Sequence, residues 1–223
     1  IKPDCYVDAS KPFAFIHRQL PDKEIYFVSN QSDQPQDLKP QFRVTGRKAQ
    51  IWNPVTAERM NIALQDNGQT STADLHLEAN ESAFIVFSNE QETGLTDYSP
   101  TERETLLTID TPWKVDFQKG MRGPDETYVM TELQTWDKNE DERIRYFSGT
   151  ATYTNTFKLK KQPDQPVWID LGRVMVMARV YVNNQYAGGV WTSPYRLNIQ
   201  HLLHKGTNTL RVEVVNNWQN RLI

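Results

Sequence analysis

The sequence predicts an all-β protein made of two β-sandwich domains, and three observations predict it. Short apolar runs rich in β-branched and aromatic residues recur at about the 8–12-residue spacing of sandwich strands. The stretch "GTATYTNTFKL", residues 149–159, alternates residue by residue. Ala151, Tyr153, Asn155, Phe157 and Leu159 fall on one face, and Thr150, Thr152, Thr154, Thr156 and Lys158 on the other. Residues 89–111 break the rhythm, being polar, acidic and poor in aromatics. They read as the connection between domains, giving a first sandwich over 1–95, a linker over 96–110 and a second sandwich over 111–223.

In the first domain the strands read as "FAFIHR", "EIYFVSN", "QFRVT", "KAQIW", "MNIAL", "ADLHL" and "SAFIVFS". "WNPVTAERM" is a turn, because Pro54 cannot donate to a ladder, and "EANES" separates the last two strands. A new strand is expected near Leu106. The second domain reads as "WKVDF", "TYVMTELQTW", "YFSGTATYTNTFKL", "VWIDLG", "VMVMARVYVNN", "YAGGVW", "YRLNI" and "NTLRVEVVN", a set that suits a jelly roll. Asn183 and Asn184 suit the positive φ angles of a two-residue type I′ hairpin turn. "IQHLLHKG" is a single helical turn stopped at Gly206.

Composition narrows the function. At 223 residues with 38% apolar and 24% charged content, the chain has the make-up of a soluble globular protein. A net charge of −3 and the lack of any long Lys/Arg run argue against a nucleic-acid or anionic-membrane partner. No apolar run is long enough to span a bilayer, and no signal peptide is present. The single cysteine, Cys5, excludes an internal disulfide. The chain starts with Ile, so a mature form or a piece of something longer is expected.

No nucleotide, metalloprotease, hydrolase-elbow or CxxC motif occurs. The four histidines are scattered and read as structural. The densest acidic run, "DKNEDER" at 137–143, reads as a solvated loop. Such loop oxygens also suit calcium, although the spacing does not match an EF-hand, so no metal or cofactor is expected. No catalytic residue is assigned, because glycosidic acid–base chemistry needs two carboxylates at a distance that sequence does not measure. The aromatics are more informative, with six Trp and nine Tyr. Sugar rings stack their C–H faces on such rings while Asn, Arg and Asp bind the hydroxyls. Trp191, Tyr195, Arg196 and Trp218 form the candidate carbohydrate-binding set, with Trp136 beside the acidic loop. The competing role for each ring is to cover an end of the sandwich core.

Residues 144–223 carry a pattern that points to a family. Tyr153 and Phe157 are followed by Asp170-Leu171-Gly172, then by Val180, Val182, Asn183 and Gly188, then by Pro194-Tyr195. Gly206, Asn208, Leu210, Val212, Val214, Asn216 and Trp218 complete it. This resembles the sugar-binding, galactose-binding-like jelly roll of family 2 glycoside hydrolases. With "FIHRQLPDKEIYFVSNQS", "IWNPVTAE" and "ESAFIVFSN" added, the whole is similar to the C-terminal region of bacterial family 106 glycoside hydrolases, the α-L-rhamnosidase type.

The resemblance implies a non-catalytic accessory region that braces a catalytic barrel, itself absent here, and contributes to binding of polysaccharide or oligosaccharide. It also implies a periplasmic or cell-surface location. A free-standing carbohydrate-binding module and a structural or adhesive β module are the alternatives.

Overall fold

The computed structural model describes residues 3–8, 10–90, 92–100 and 104–222. It is nearly all β, and it divides into two compact units, residues 1–104 and 105–223. Of the expected linker, residues 101–103 lie outside the described residues.

Eleven short strands build the first unit: β1 (Cys5–Tyr6), β2 (Phe13–Gln19), β3 (Lys23–Asn30), β4 (Gln36–Leu38), β5 (Gln41–Phe42), β6 (Lys48–Trp52), β7 (Arg59–Ile62), β8 (Leu64–Asp66), β9 (Ser71–Ala73), β10 (Leu75–Leu77) and β11 (Ser82–Ser88). A five-stranded sheet runs in the order β2-β3-β11-β6-β7, a four-stranded sheet in the order β1-β5-β9-β8, and β4 pairs with β10. The pairings between these strands are antiparallel. Tyr26, Val28, Phe42, Ile85 and Phe87 fill the core between the layers.

The alternation of "EIYFVSN" and "SAFIVFS" forms strands where expected. The turn at Asn53 also forms, its side-chain oxygen accepting from the amides of Val55 and Thr56. Two expected strands divide instead. "MNIAL" passes from β7 to β8 and "ADLHL" from β9 to β10, each changing sheets partway along the run. Such corners let one apolar run serve two layers. "QFRVT" is paired only at Gln41–Phe42.

Cys5 sits in this core, and burial pushes its thiol up to about 12. The thiolate is the reactive form. Native protein at pH 8 is therefore expected to resist an aromatic disulfide reagent, with colour developing only as the first unit unfolds in urea. Prompt stoichiometric reaction in native buffer would contradict this packing.

The second unit contains β12 (Trp113–Phe117), β13 (Tyr128–Met130), α1 (Glu142–Arg145), β14 (Thr150–Leu159), β15 (Trp168–Asp170), β16 (Met177–Val182), β17 (Gln185–Val190), β18 (Arg196–Asn198), β19 (Gly206–Val215) and α2 (Gln219–Leu222). Its six-stranded sheet runs β13-β12-β14-β19-β16-β17, and β15 pairs with β18. The alternating stretch is β14, with Ala151, Tyr153 and Asn155 buried and Phe157 packed against the core. Asn183 and Asn184 have φ of 51° and 64° and close the β16–β17 hairpin. Gly188 lies beside a break in the β16–β17 register, and a Cβ there would come within 3.1 Å of Leu197, so glycine lets β18 lie close.

Several expectations fail in this unit. The strand read over 127–136 stops at Met130, and Trp136 begins a 3-10 turn (Trp136–Lys138). The acidic stretch read as a loop is not all loop: its first two residues lie in that 3-10 turn and its last two open α1, with Asp141 capping the helix by accepting from the Arg143 amide. Leu106 is exposed and starts no strand. The helical turn expected to stop at Gly206 ends at Leu202, and Gly206 instead opens β19. In the first two cases the core decides. Trp136 and Ile144 turn inward onto Phe117 and Phe147, which a straight strand would not allow.

Candidate carbohydrate-binding site

One end of the six-stranded sheet gathers two of the four candidate aromatics, Trp191 and Trp218, and strand register explains why. Ala178 on β16 pairs with Val190 on one side and Val214 on the other. The C-terminal ends of β17 and β19 therefore reach the same level, two strand spacings or about 10 Å apart. Trp191 leaves directly from β17, and Trp218 follows three residues beyond β19. Between them, Met175–Met177 lead into β16. Trp191 is 58% exposed and Trp218 61%, and Met175, Val176, Met177 and Leu222 are exposed with them.

β14 begins at this end too, since Thr150 pairs with Val215. Asn216 secures the corner. Its side-chain oxygen accepts from the Gly149 amide at 2.9 Å, and its amide nitrogen donates to the Phe147 carbonyl at 2.9 Å. The backbone just before Trp218 is thus tied to the start of β14. α2 then places the Arg221 guanidinium 5.6 Å from the Trp218 ring centre, and Arg221 donates to the Met121 carbonyl.

Tyr195 and Arg196 lie where the loop begun by Trp191 enters β18. The Tyr195 carbonyl accepts from the Leu171 amide. Arg196 donates to Asp170 at 2.7 Å, and Asp170 also accepts from the Gly172 amide. The "DLG" segment therefore ties down β18. Tyr195 is half-buried against the core, and the Arg196 guanidinium is already engaged in this ion pair.

Trp136 does not belong with the others. It is only 7% exposed, and its indole N–H donates to the Tyr153 hydroxyl at 2.6 Å. A ring enclosed in this way has no face to offer a sugar, so its place among the candidates is corrected to core. It entered the candidate set because it lies beside the acidic loop in sequence, with core packing as the competing role, and its neighbours in space, Phe117 and Phe147, place it in the core.

The acidic loop is engaged within the protein. Arg143 contacts both Asp141 and Glu126 at 2.8 Å. Hydrogen bonds from Arg143 hold both carboxyls below the usual carboxylate range. Among the described residues no group of three His, Cys, Asp or Glu is arranged to hold a metal ion. His17 meets Glu24 at 2.7 Å and His76 meets Asp37 at 2.8 Å, both as parts of local polar networks.

The rim residues Met175, Val176 and Leu222 escaped sequence reasoning. "VMVMARVYVNN" looks like one buried strand, but β16 starts only at Met177 and the residues before it face solvent.

Comparison with known proteins divides the chain in two. Residues 1–66 match the family described as alpha-L-rhamnosidase. Residues 128–222 match the glycosyl hydrolase 2 galactose-binding domain-like family. A rhamnosidase from Novosphingobium sp. PP1Y has a similar structure, with a TM-score of 0.85 and 34% identity over 99% of this chain and 21% of that one. A protein of Formosa agariphila named "Putative beta-glucuronidase" is 42% identical over 95 residues, 41% of this chain and 8% of its own length. The chain thus spans about a fifth of the solved rhamnosidase and less than a tenth of the curated relative.

Proposed function

We propose that this chain is a non-catalytic accessory region of a larger glycoside hydrolase, and that the Trp191–Trp218 end of its jelly roll engages carbohydrate. The observation that carries the reading is the pair of exposed indoles flanking β16 at one end of a domain that matches a galactose-binding-like family. Two separate rings with amide and guanidinium groups nearby suit a sugar chain, whose C–H faces stack while its hydroxyls hydrogen-bond. The chemistry of bond cleavage would sit in a barrel domain, which needs about 250 residues of alternating strand and helix. Similarity to a rhamnosidase makes a rhamnose-containing polysaccharide the first substrate class to test, and a periplasmic or cell-surface site of action goes with that reading.

The test is affinity electrophoresis through gels carrying rhamnose-containing pectic polysaccharide. Retardation is expected, and Trp191→Ala and Trp218→Ala should each weaken it about tenfold with the circular dichroism spectrum unchanged. A second reading rests on the aliphatic members of the rim. Met175, Val176 and Leu222 form no hydrogen bonds through their side chains, and they suit a seat for another protein domain. No retardation in any polysaccharide gel would favour that bracing role and remove carbohydrate binding from the proposal.

A further inference from the structure

We infer that the outward face of the five-stranded sheet in the first unit is the seat of another domain of the same polypeptide, one that presents an apolar surface with an acidic border. The inference rests on the accessory-region reading above and adds where the contact lies.

The sheet carries large apolar residues on both faces. Strand register puts Tyr26, Val28, Ile85 and Phe87 inward, into the core. The alternate positions carry Ile16 on β2, Ile25 and Phe27 on β3, Phe84 and Val86 on β11, and Trp52 on β6. Ser29, Ser82, Ser88, Gln50 and Asn61 share this face, and Val86 and Gln50 are already buried, so the apolar part still open to solvent runs along Ile16, Phe27, Phe84 and Trp52. An antiparallel sheet with one face in water usually alternates to polar side chains on that face, so a row of large apolar residues across it suits a covering partner.

The surface is continuous across four neighbouring strands. Phe27 and Phe84 are directly opposed, with ring centres 5.0 Å apart, and Phe84 is opposed in turn by Trp52. Trp52 is held in place, its indole N–H donating to Gln50 at 2.7 Å and the Arg59 guanidinium lying 5.5 Å from its ring centre. Beside Trp52 and Phe84 lies a shallow hollow of about 450 Å³, walled by Pro54, Ala57 and Arg59. Ile16, on the edge strand, is 57% exposed.

Two features choose the occupant. The charged residues at outward strand positions are Arg18, Lys23, Lys48 and Arg59, with no Asp or Glu among them. Glu92 reaches Arg59 from beyond β11, at 2.9 Å. A cationic border around an apolar centre complements an acidic border. The similar rhamnosidase extends far beyond the region matched here, which fills only 21% of it, so a protein built like it has other domains to cover such a face. A sugar chain fits less well, since the Phe27 and Phe84 planes are inclined by 56° and the other members are largely aliphatic.

The test is thiol footprinting of Ile16→Cys, with Gln69→Cys, in the exposed turn between β8 and β9, as the control. The buried native Cys5 supplies a low background. Each variant is made in this chain alone and in the product of the complete reading frame, then labelled with a maleimide. Position 16 is expected to label rapidly in the chain alone and at least about tenfold more slowly in the full product, with position 69 unchanged. Equal rates at position 16 in a product that contains a catalytic domain would overturn the inference and leave the accessory reading standing. A reading frame with no catalytic domain would instead overturn the accessory reading, and this inference with it. Protection in the chain alone that grows with protein concentration would reassign the face to a second copy.

Discussion

Phe147→Ala is expected to destabilise the jelly-roll unit by about 3–5 kcal/mol, the usual cost of deleting a fully buried phenyl ring. Phe147 is 1% exposed and packs edge-on against Phe117 and Trp136, with ring centres at 4.9 and 5.4 Å. The surroundings have little freedom to collapse into the space. They include the central sheet and the close approach of Gly123, where a Cβ would lie 2.8 Å from the ring. The effect should extend to the rim, because the Phe147 carbonyl is the acceptor for Asn216, two residues before Trp218. Urea unfolding followed by tryptophan fluorescence is the measurement. Five of the six tryptophans, all but Trp52, lie in the second unit, so the signal reports mainly that unit. A midpoint shift worth less than about 1 kcal/mol would show that the ring is not packed as described.

The second large effect lies in the other unit. Asn30 at the end of β3 is completely buried and serves five partners. Its amide nitrogen donates to the carbonyls of Gln34 at 2.8 Å, Glu78 at 2.8 Å and Leu77 at 3.3 Å. Its oxygen accepts from the Ser32 amide and from Gln36 Nε2, both at 2.9 Å. One side chain thus joins the segment after β3 to the segment after β10. Asn30→Ala leaves these groups without their partner and should cost about 3 kcal/mol, because an unpaired buried polar group costs roughly 1–3 kcal/mol. Pulse labelling of Cys5 along a urea gradient reads this unit alone. Asn30→Asp is the informative companion, since it keeps an acceptor for Ser32 and Gln36 but loses the donors to three carbonyls. If Asn30→Ala left the Cys5 labelling midpoint unmoved, the network would carry no weight.

Much of the architecture can be read from local chemistry. The alternation of residues 150–159 and the paired asparagines at 183–184 each determine their own conformation through side-chain period or permitted φ. What escaped depends on partners far away in sequence. Ala63 and Asp74 interrupt two apolar runs that look continuous, because each run has to serve two sheets. Trp136 lies in an acidic neighbourhood, yet it is pulled inward by Tyr153 and Phe147. For the candidate site, sequence suggested Trp191 and Trp218, but only the pairing of β16 with both β17 and β19 places them at one end of the sheet. Tyr195 and Arg196 were chosen from the same cluster, and their engagement with Leu171 and Asp170 depends on the β15–β18 pairing, which no local pattern announces.

The ladder between β14 and β19 has a consequence for synthesis on the ribosome. It joins Thr150 to Val215 and Leu159 to Gly206, so every rung spans dozens of residues. β16 depends on the same late strand. Until β19 clears the exit tunnel, β14 can pair only with β12, and the backbone groups along its other edge stay open to stray strands. The first unit draws its strands from residues already made and can close earlier. A slow codon tract or a bound chaperone would therefore matter most while residues 160–205 are emerging, the interval in which half of the central sheet waits for its partner.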